Sequence, residues 1–321
     1  MYVILELGYN LQYGLTGIRN VGNYVFTAFG AYIGGVLSLG PASTTLQTYI
    51  LGATLPYPLP LVLGGVAGAV VAAALGFLFL YRLRAQYQAI VTLVVAQVAW
   101  LVVGNWVPLF NGYNGLAGVP QPLASTLGLP PVEYQFVFAA MSGVVALVCF
   151  GFMQRLARSP FGRMLRAIRE DDTVAATFGK NVFGVQMTAL VLSGFMAGLA
   201  GALQIEFLGA WSPSTWSVPE GFVVIAALII GGTGNNWGAA LGGFILPVGI
   251  YELTVLIPAF NSPGVGSTVI PALRWILIGL LALAFLWFRP QGMIPEPKPA
   301  FPPRAVSIGT PDATEGAEVV S

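Results

Sequence analysis

Between Ser159 and Phe183 the chain reads SPFGRMLRAIREDDTVAATFGKNVF, which sets Arg163, Arg166, Arg169, Glu170, Asp171, Asp172 and Lys180 in one short stretch. Elsewhere the chain is apolar. Two chemistries suit guanidinium groups three residues apart followed by three carboxylates. They can bind lipid headgroup phosphates as a solvated loop, or they can form a docking surface for a partner protein. Apolar stretches flank the island on both sides, Phe136 to Phe152 and Val185 to Phe207. A polar segment between two membrane spans must lie in water, and its positive charge favours the cytoplasmic side.

Other chemistries are excluded. The chain has no histidine and one cysteine, Cys149, so it has neither a His-based metal site or triad nor an intrachain disulfide. No metal or cofactor is expected. The only lysines are Lys180 and Lys298, and no G-x-x-x-x-G-K-[ST] occurs, so the chain cannot cradle ATP phosphates itself. Gly231-Gly232-Thr233-Gly234 lacks the following lysine and reads as helix packing or a helix break. A net charge of +1 gives no case for nucleic acid. The chain is therefore not expected to be an enzyme by itself.

The elements that must position the charged stretch are membrane helices. Of 321 residues, 56% are hydrophobic and 8% charged, against roughly 25% charged in soluble domains. A helix needs about 20 apolar residues to span. Leu59–Tyr81, Tyr87–Val107, Tyr134–Phe152, Val185–Phe207, Gly238–Leu256 and Ile270–Phe288 meet that length. Tyr2–Thr16 and Val25–Leu39 are shorter, and Phe222–Ile230 is too short to span alone. These glycine-interrupted pieces are expected to be broken or re-entrant. The fold class is an all-α polytopic membrane protein with about 8–10 transmembrane segments. Met1 lies almost inside the first apolar segment without a signal-peptide pattern, so that segment reads as a span.

Charge asymmetry orients the layout. With Ser159–Asn181 inside, counting spans puts Arg19, Arg82, Arg84, Arg155, Arg158 and Arg289 inside as well. The loops Pro108–Glu133, Leu208–Glu220 and Pro258–Thr268 fall outside and hold no Lys or Arg. Only Arg274 falls on the outer half of a span. A plasma-membrane protein with a cytoplasmic C-terminus and an external N-terminus follows. Residues 1–293 form the membrane domain, with the loop 154–184 on its inner side. The proline-rich, polar 294–321 reads as a disordered cytoplasmic tail.

Within the loop, Ser159 followed by Pro160 opens a helix. Leu165 and Ile168 share one face of it. Asp172 is the expected cap of a second short helix, Thr173–Phe178, ended by Gly179. Glycines at Gly64/Gly65/Gly68, Gly194/Gly198/Gly201 and Gly238/Gly242 have the spacing that lets helices approach closely. Glu6, Glu206, Glu220 and Glu252 lie in or against spans, where charge must face protein or a wet path.

The run GRMLRAIREDDTVAATFGKNV resembles the cytoplasmic loop of ABC importer permeases for branched-chain amino acids, the LivM/LivH type. In order along the chain, Leu15-Thr16-Gly17, Gly30-Ala31-Tyr32, Asn114-Gly115-Leu116-Ala117-Gly118-Val119-Pro120, Ala197–Leu203, Ser212-Pro213, Gly231–Gly234 and Arg289-Pro290-Gln291-Gly292 also resemble the family. Together they run from about residue 11 to 293. The resemblance implies that Ala175, Ala176 and Gly179 form the coupling helix seated in an ATPase subunit; the charged Arg163, Arg166, Arg169 and Glu170 beside them are expected to take part in coupling. It implies ATPase subunits, a second permease chain and an extracytoplasmic solute-binding protein as partners. An amino acid is then the substrate and lipid the surroundings. Ile18–Tyr24 depart from the family's glycine, serine and histidine, and the family's further N-terminal hydrophobic segment is expected to be absent or shortened.

For an amino acid, the carboxylate would favour helix N-termini at the breaks near Asn20 and Asn23 and near Gly232 and Asn235. Glu206 or Glu252 could meet its ammonium group. Urea or short amides are alternative substrates. An ion-coupled secondary carrier is the rival mechanism, and a membrane scaffold the rival class.

Overall fold

The structure is a computed structural model and describes residues 1–42, 47–81, 83, 85–256 and 266–297. Arg82, Arg84, most of the loop Pro258–Thr268 and the tail beyond Pro297 lie outside the described residues. So do the side chains of Glu252 and Arg274.

Apolar runs become helices wherever they are long enough to satisfy their own backbone, the only solution available in lipid besides a closed barrel. Helix α1 (Tyr2–Tyr9) continues into a π-helical segment, Asn10–Leu15. Then come α2 (Tyr24–Ser38), α3 (Leu59–Leu80) and α4 (Ala85–Asn105). The short α5 (Val107–Phe110) and α6 (Ala124–Leu127) flank strand β1 (Leu116–Ala117). Next are α7 (Pro131–Arg158), α8 (Pro160–Glu170), α9 (Asp172–Thr177) and α10 (Val182–Leu208). Strand β2 (Ala210–Trp211) leads to α11 (Val218–Gly231), α12 (Asn236–Leu256) and α13 (Gly266–Phe288).

Among the described residues, five stretches are long and apolar enough to cross a membrane: Leu59–Leu80, Gln86–Asn105, Pro131–Arg158, Val182–Leu208 and Pro213–Gly231. The last differs from the sequence expectation. Phe222–Ile230 looked too short to span, but its helix starts at Val218, with Pro219 in its first turn. A 3-10 turn at Pro213–Trp216 extends it further. Tyr24–Ser38 and Trp275–Phe288 are shorter apolar helices.

Burial separates inner from outer helices. Ile4, Leu7, Leu11 and Leu15 of the first helix are 0% exposed, enclosed by α7, α10, α11 and α12. A helix apolar on every side is covered either by protein or by lipid, and here protein covers it. The peripheral helices turn large side chains outward, among them Val70 and Phe77 of α3, Phe136 and Leu147 of α7, and Leu283 and Trp287 of α13. These suit lipid contact.

Glycines set the closest approaches. A methyl group on Gly30 of α2 would run into the backbone of Gly198 on α10, and one on Gly201 would strike the Thr27 carbonyl. On α3, a Cβ at Gly68 would lie 2.8 Å from the Gly198 Cα. The glycine spacing seen in the sequence is thus the seam joining α2, α3 and α10. Lipid offers no hydrophobic drive between helices, so such close backbone packing carries the association.

At the end of the bundle away from α8, β1 pairs antiparallel with β2, Leu116 opposite Trp211. Trp100 Nε1 donates to the Pro213 carbonyl at 2.7 Å. The Tyr134 hydroxyl donates to the Pro122 carbonyl at 2.7 Å.

Candidate functional site

The charged loop folds as two helices between α7 and α10. Ser159 opens α8: its hydroxyl accepts from the Gly162 amide at 3.4 Å and donates to the Leu156 carbonyl at 2.7 Å. Leu165 and Ile168 are buried, 0% and 3% exposed, and seat α8 on the bundle. Arg163 and Glu170 are exposed.

The cap of α9 is Asp171, not the expected Asp172. Its carboxylate accepts from the Thr173 hydroxyl at 2.6 Å and from the amides of Thr173 at 2.9 Å and Val174 at 3.0 Å. These donors, the Thr173 hydroxyl first, hold the Asp171 carboxyl below its ordinary range. Helix α8 runs on to Glu170, which leaves Asp171 as the extended residue where a cap must sit. Ala175 faces inward at 7% exposure. Ala176 and Gly179 are exposed, and so are two apolar side chains that sequence reasoning passed over: Val174 at 48% and Phe178 at 77%. The available signal was an aromatic residue inside a charged stretch.

Arg166 and Arg169 do not point away from the protein. Arg166 Nε lies 3.2 Å from Glu296 Oε1, an ion pair without hydrogen-bond alignment, while its Nη2 donates to the Ala157 carbonyl at 3.1 Å. Arg169 Nη2 donates to Glu296 Oε2 at 2.8 Å, and its Nη1 donates to the Gly14 carbonyl. Ile294 to Glu296, the opening of the expected tail, are thereby placed against the bundle. The Ile294 amide donates to the Gly231 carbonyl at 3.0 Å. Beside them, a cleft of about 460 Å³ is lined by Arg19, Arg169, Glu170, Asp171, Asp172 and Gln186, among others.

The substrate-path candidates fall in three places. Asn20 and Asn23, 2% and 3% exposed, meet through Gln12. Asn20 Nδ2 donates to Gln12 Oε1 at 3.1 Å, and Gln12 Nε2 donates to Asn23 Oδ1 at 2.6 Å. Gly232 and Asn235 form the break between α11 and α12, where Asn235 Nδ2 donates to the Pro295 carbonyl at 3.0 Å. Glu206 lies at the far end of α10, 1% exposed, and its Oε2 has no hydrogen-bond partner among the described residues. It borders a pocket of about 150 Å³ together with Ser38, Tyr57, Gln121 and Leu123. Glu252 is on α12, its side chain outside the described set.

A buried polar chain was missed entirely. Asn10 Nδ2 donates to Asn236 Oδ1 at 2.9 Å, and Asn10 Oδ1 accepts from the Gly234 amide at 2.8 Å. Asn236 Nδ2 donates to Gln154 Oε1 at 3.2 Å. Glu6 is fully buried beside Gly243, and neither carboxylate oxygen is hydrogen-bonded among the described residues. The signal was Glu6, Asn10 and Gln12 inside one apolar run, where polar groups need protein partners. The π-helical segment at Asn10–Leu15 belongs to a geometry frequent at functional sites.

Comparison with known proteins agrees with this architecture. The family described as the permease component of branched-chain amino acid transport systems matches residues 1–288. The probable branched-chain amino acid transport permease protein LivM of Methanocaldococcus jannaschii is 28% identical, covering 96% of this chain and 94% of that protein. The high-affinity branched-chain amino acid transport system permease protein LivM of Escherichia coli is 29% identical over 93% of this chain and 69% of its own length. The probable LivH permease of Methanocaldococcus jannaschii is 26% identical, covering 91% and 88%. No solved structure matches. With helices able to cross a membrane several times and the family matched along nearly its whole length, this chain is a multi-pass membrane protein and belongs to the permease component family of branched-chain amino acid transport systems.

Proposed function

We propose that this permease subunit works in an ATP-driven importer carrying branched-chain or related amino acids into the cytoplasm. Its partners in that reading are ATPase subunits, a second permease chain and an extracytoplasmic solute-binding protein. The C-terminus lies on the cytoplasmic side. One observation carries the reading: α8 is seated on the bundle by Leu165 and Ile168, while the α9 tip presents Val174, Ala176, Phe178 and Gly179 to solvent. An apolar tip rimmed by charge is what a partner's socket covers. A chain without a P-loop takes its ATP from such a partner.

At the opposite end, Glu206 offers an unpartnered carboxylate oxygen beside a small pocket, and the α-ammonium of an amino acid would satisfy it. Asn20 and Asn23, and the break at Gly232 and Asn235, line the proposed path inward. In this scheme Ala175, Ala176 and Gly179 form the coupling helix. Arg163, Arg166, Arg169 and Glu170 frame it.

Uptake of radiolabelled leucine into proteoliposomes holding the chain with its partner subunits and binding protein tests this. Uptake is expected to require ATP hydrolysis, and Glu206→Gln to raise KM roughly tenfold, the effect of losing one charge-assisted hydrogen bond. Uptake driven by an ion gradient without ATP would overturn the importer. An unchanged KM would remove Glu206 from the path.

A further inference from the structure

We infer that Glu296 is a positioning residue: together with Arg169, whose guanidinium also holds the Gly14 carbonyl, it clasps α8 to the break between α11 and α12 and to the inner end of the first helix, so that a movement of α8 reaches both together. The inference rests on the ATP-driven reading above, in which α8 and α9 receive the ATPase's motion.

Three elements distant in sequence converge on this carboxylate and the Arg169 guanidinium it binds. From α8, Arg166 Nε lies 3.2 Å from Oε1 and Arg169 Nη2 lies 2.8 Å from Oε2. From the first helix, the Gly14 carbonyl accepts from the same Arg169 guanidinium. From the break, Gly234 lies so close that a Cβ there would sit 2.6 Å from Glu296 Oε2 and 3.0 Å from Arg169 Nη1. At φ +81 Gly234 also adopts a backbone conformation that side-chain-bearing residues rarely take.

The segment carrying Glu296 is laced to that break by its backbone. The Met293 amide donates to the Ile230 carbonyl at 2.8 Å and the Ile294 amide to the Gly231 carbonyl at 3.0 Å. The Pro295 carbonyl accepts from Asn235 Nδ2. Beyond the break, the Gly234 amide reaches Asn10, then Asn236 of α12 and Gln154 of α7.

A purely stabilising role explains this poorly. The side chains of the ion pairs are 24–33% exposed, so solvent screens part of what they add to stability. Leu165 and Ile168 already anchor α8 by burial. The ion pairs add direction. Two arginines one helical turn apart hold both oxygens of one carboxylate, so α8 cannot rotate or slide without drawing the strap with it or releasing it. A contact with those two discrete outcomes is the kind of element that transmits between sites.

The test uses the full complex in proteoliposomes, with the loaded binding protein, and reads leucine taken up per ATP hydrolysed. Glu296→Gln is expected to hydrolyse ATP near the wild-type rate while transporting roughly five- to tenfold less leucine per ATP, the size of a typical coupling between sites. Glu296→Asp, which keeps the charge, should fall between the two. If Glu296→Gln does not accumulate in the membrane, Arg166→Gln, which removes one arm of the clasp, replaces it in the comparison. Equal leucine per ATP in wild type and variant overturns the clasp, as does a parallel loss of hydrolysis and uptake, which is what a structural role would give. A wild-type complex whose uptake ignores ATP overturns the importer reading and the clasp with it, so the wild-type control separates the two failures.

Discussion

Replacing Asn10 with leucine should destabilise the bundle measurably, because its amide joins three elements at 0% exposure. The substitution leaves the Gly234 amide without its side-chain acceptor, at a cost of about 1–3 kcal/mol for a buried orphan. It also removes the bond to Asn236 Oδ1, worth about 0.6 and at most roughly 1.7 kcal/mol between membrane helices. Asn236 keeps its bond to Gln154, which limits the second loss. The sum is about 2–4 kcal/mol, or a fall in Tm of roughly 3–6 °C for a chain of 321 residues. Cys149 provides the assay: it is the sole cysteine and is buried, so a thiol-reactive dye in detergent reports its exposure as the protein is heated. Asn105→Leu is the control, since that side chain is exposed and bonds only within its own helix, to the Leu101 carbonyl at 2.8 Å. A Tm for Asn10→Leu within about 1 °C of both wild type and control would refute the reasoning, because orphaned buried groups of this kind cannot be free of cost.

Three further outcomes follow from local geometry. Gly201→Val should cost about 1–3 kcal/mol in the same dye assay by forcing α10 off the Thr27 carbonyl of α2, whereas Gly143→Val, with nothing within 4 Å of its Cβ, should be near neutral. Phe178→Asp should weaken ATPase association at least tenfold in a pull-down from detergent, while the chain still inserts normally; undiminished association would remove Phe178 from the interface. Asp171 has its folded pKa lowered, so its capping contribution is present above the unfolded value of 3.8 and lost as pH falls through the lower folded value. The amide shifts of Thr173 and Val174 should titrate with a midpoint below 3.8, and a midpoint at or above it would contradict the capping geometry.

Much of this was legible because single-segment physics decided it. Apolar runs of spanning length became helices, the Ser159-Pro160 start of α8 lies where capping rules put it, and Leu165 and Ile168 are buried on one face. The break at Gly232–Asn235 was also readable from glycine and asparagine alone. What stayed hidden depends on tertiary contact. Asp171 and Asp172 are equivalent as capping candidates by composition, and only the length of α8 selects Asp171. The start of α11 was hidden because Glu220 and Gly221 interrupt the apolar run ahead of Phe222. A helix apolar on every side can be central or peripheral, and only Glu6, Asn10 and Gln12 hinted that Tyr2–Leu15 is the enclosed one. Arg166 and Arg169 of the charged loop were read as facing a partner. Their carboxylate, Glu296, stands 127 positions beyond Arg169, and no local pattern joins the two.

The most direct test of the central claim is to purify the tagged chain from its native membrane in mild detergent and identify what accompanies it. The account predicts a P-loop ATPase and a second, related permease chain in stable association. A well-folded homo-oligomer with no ATPase would contradict it.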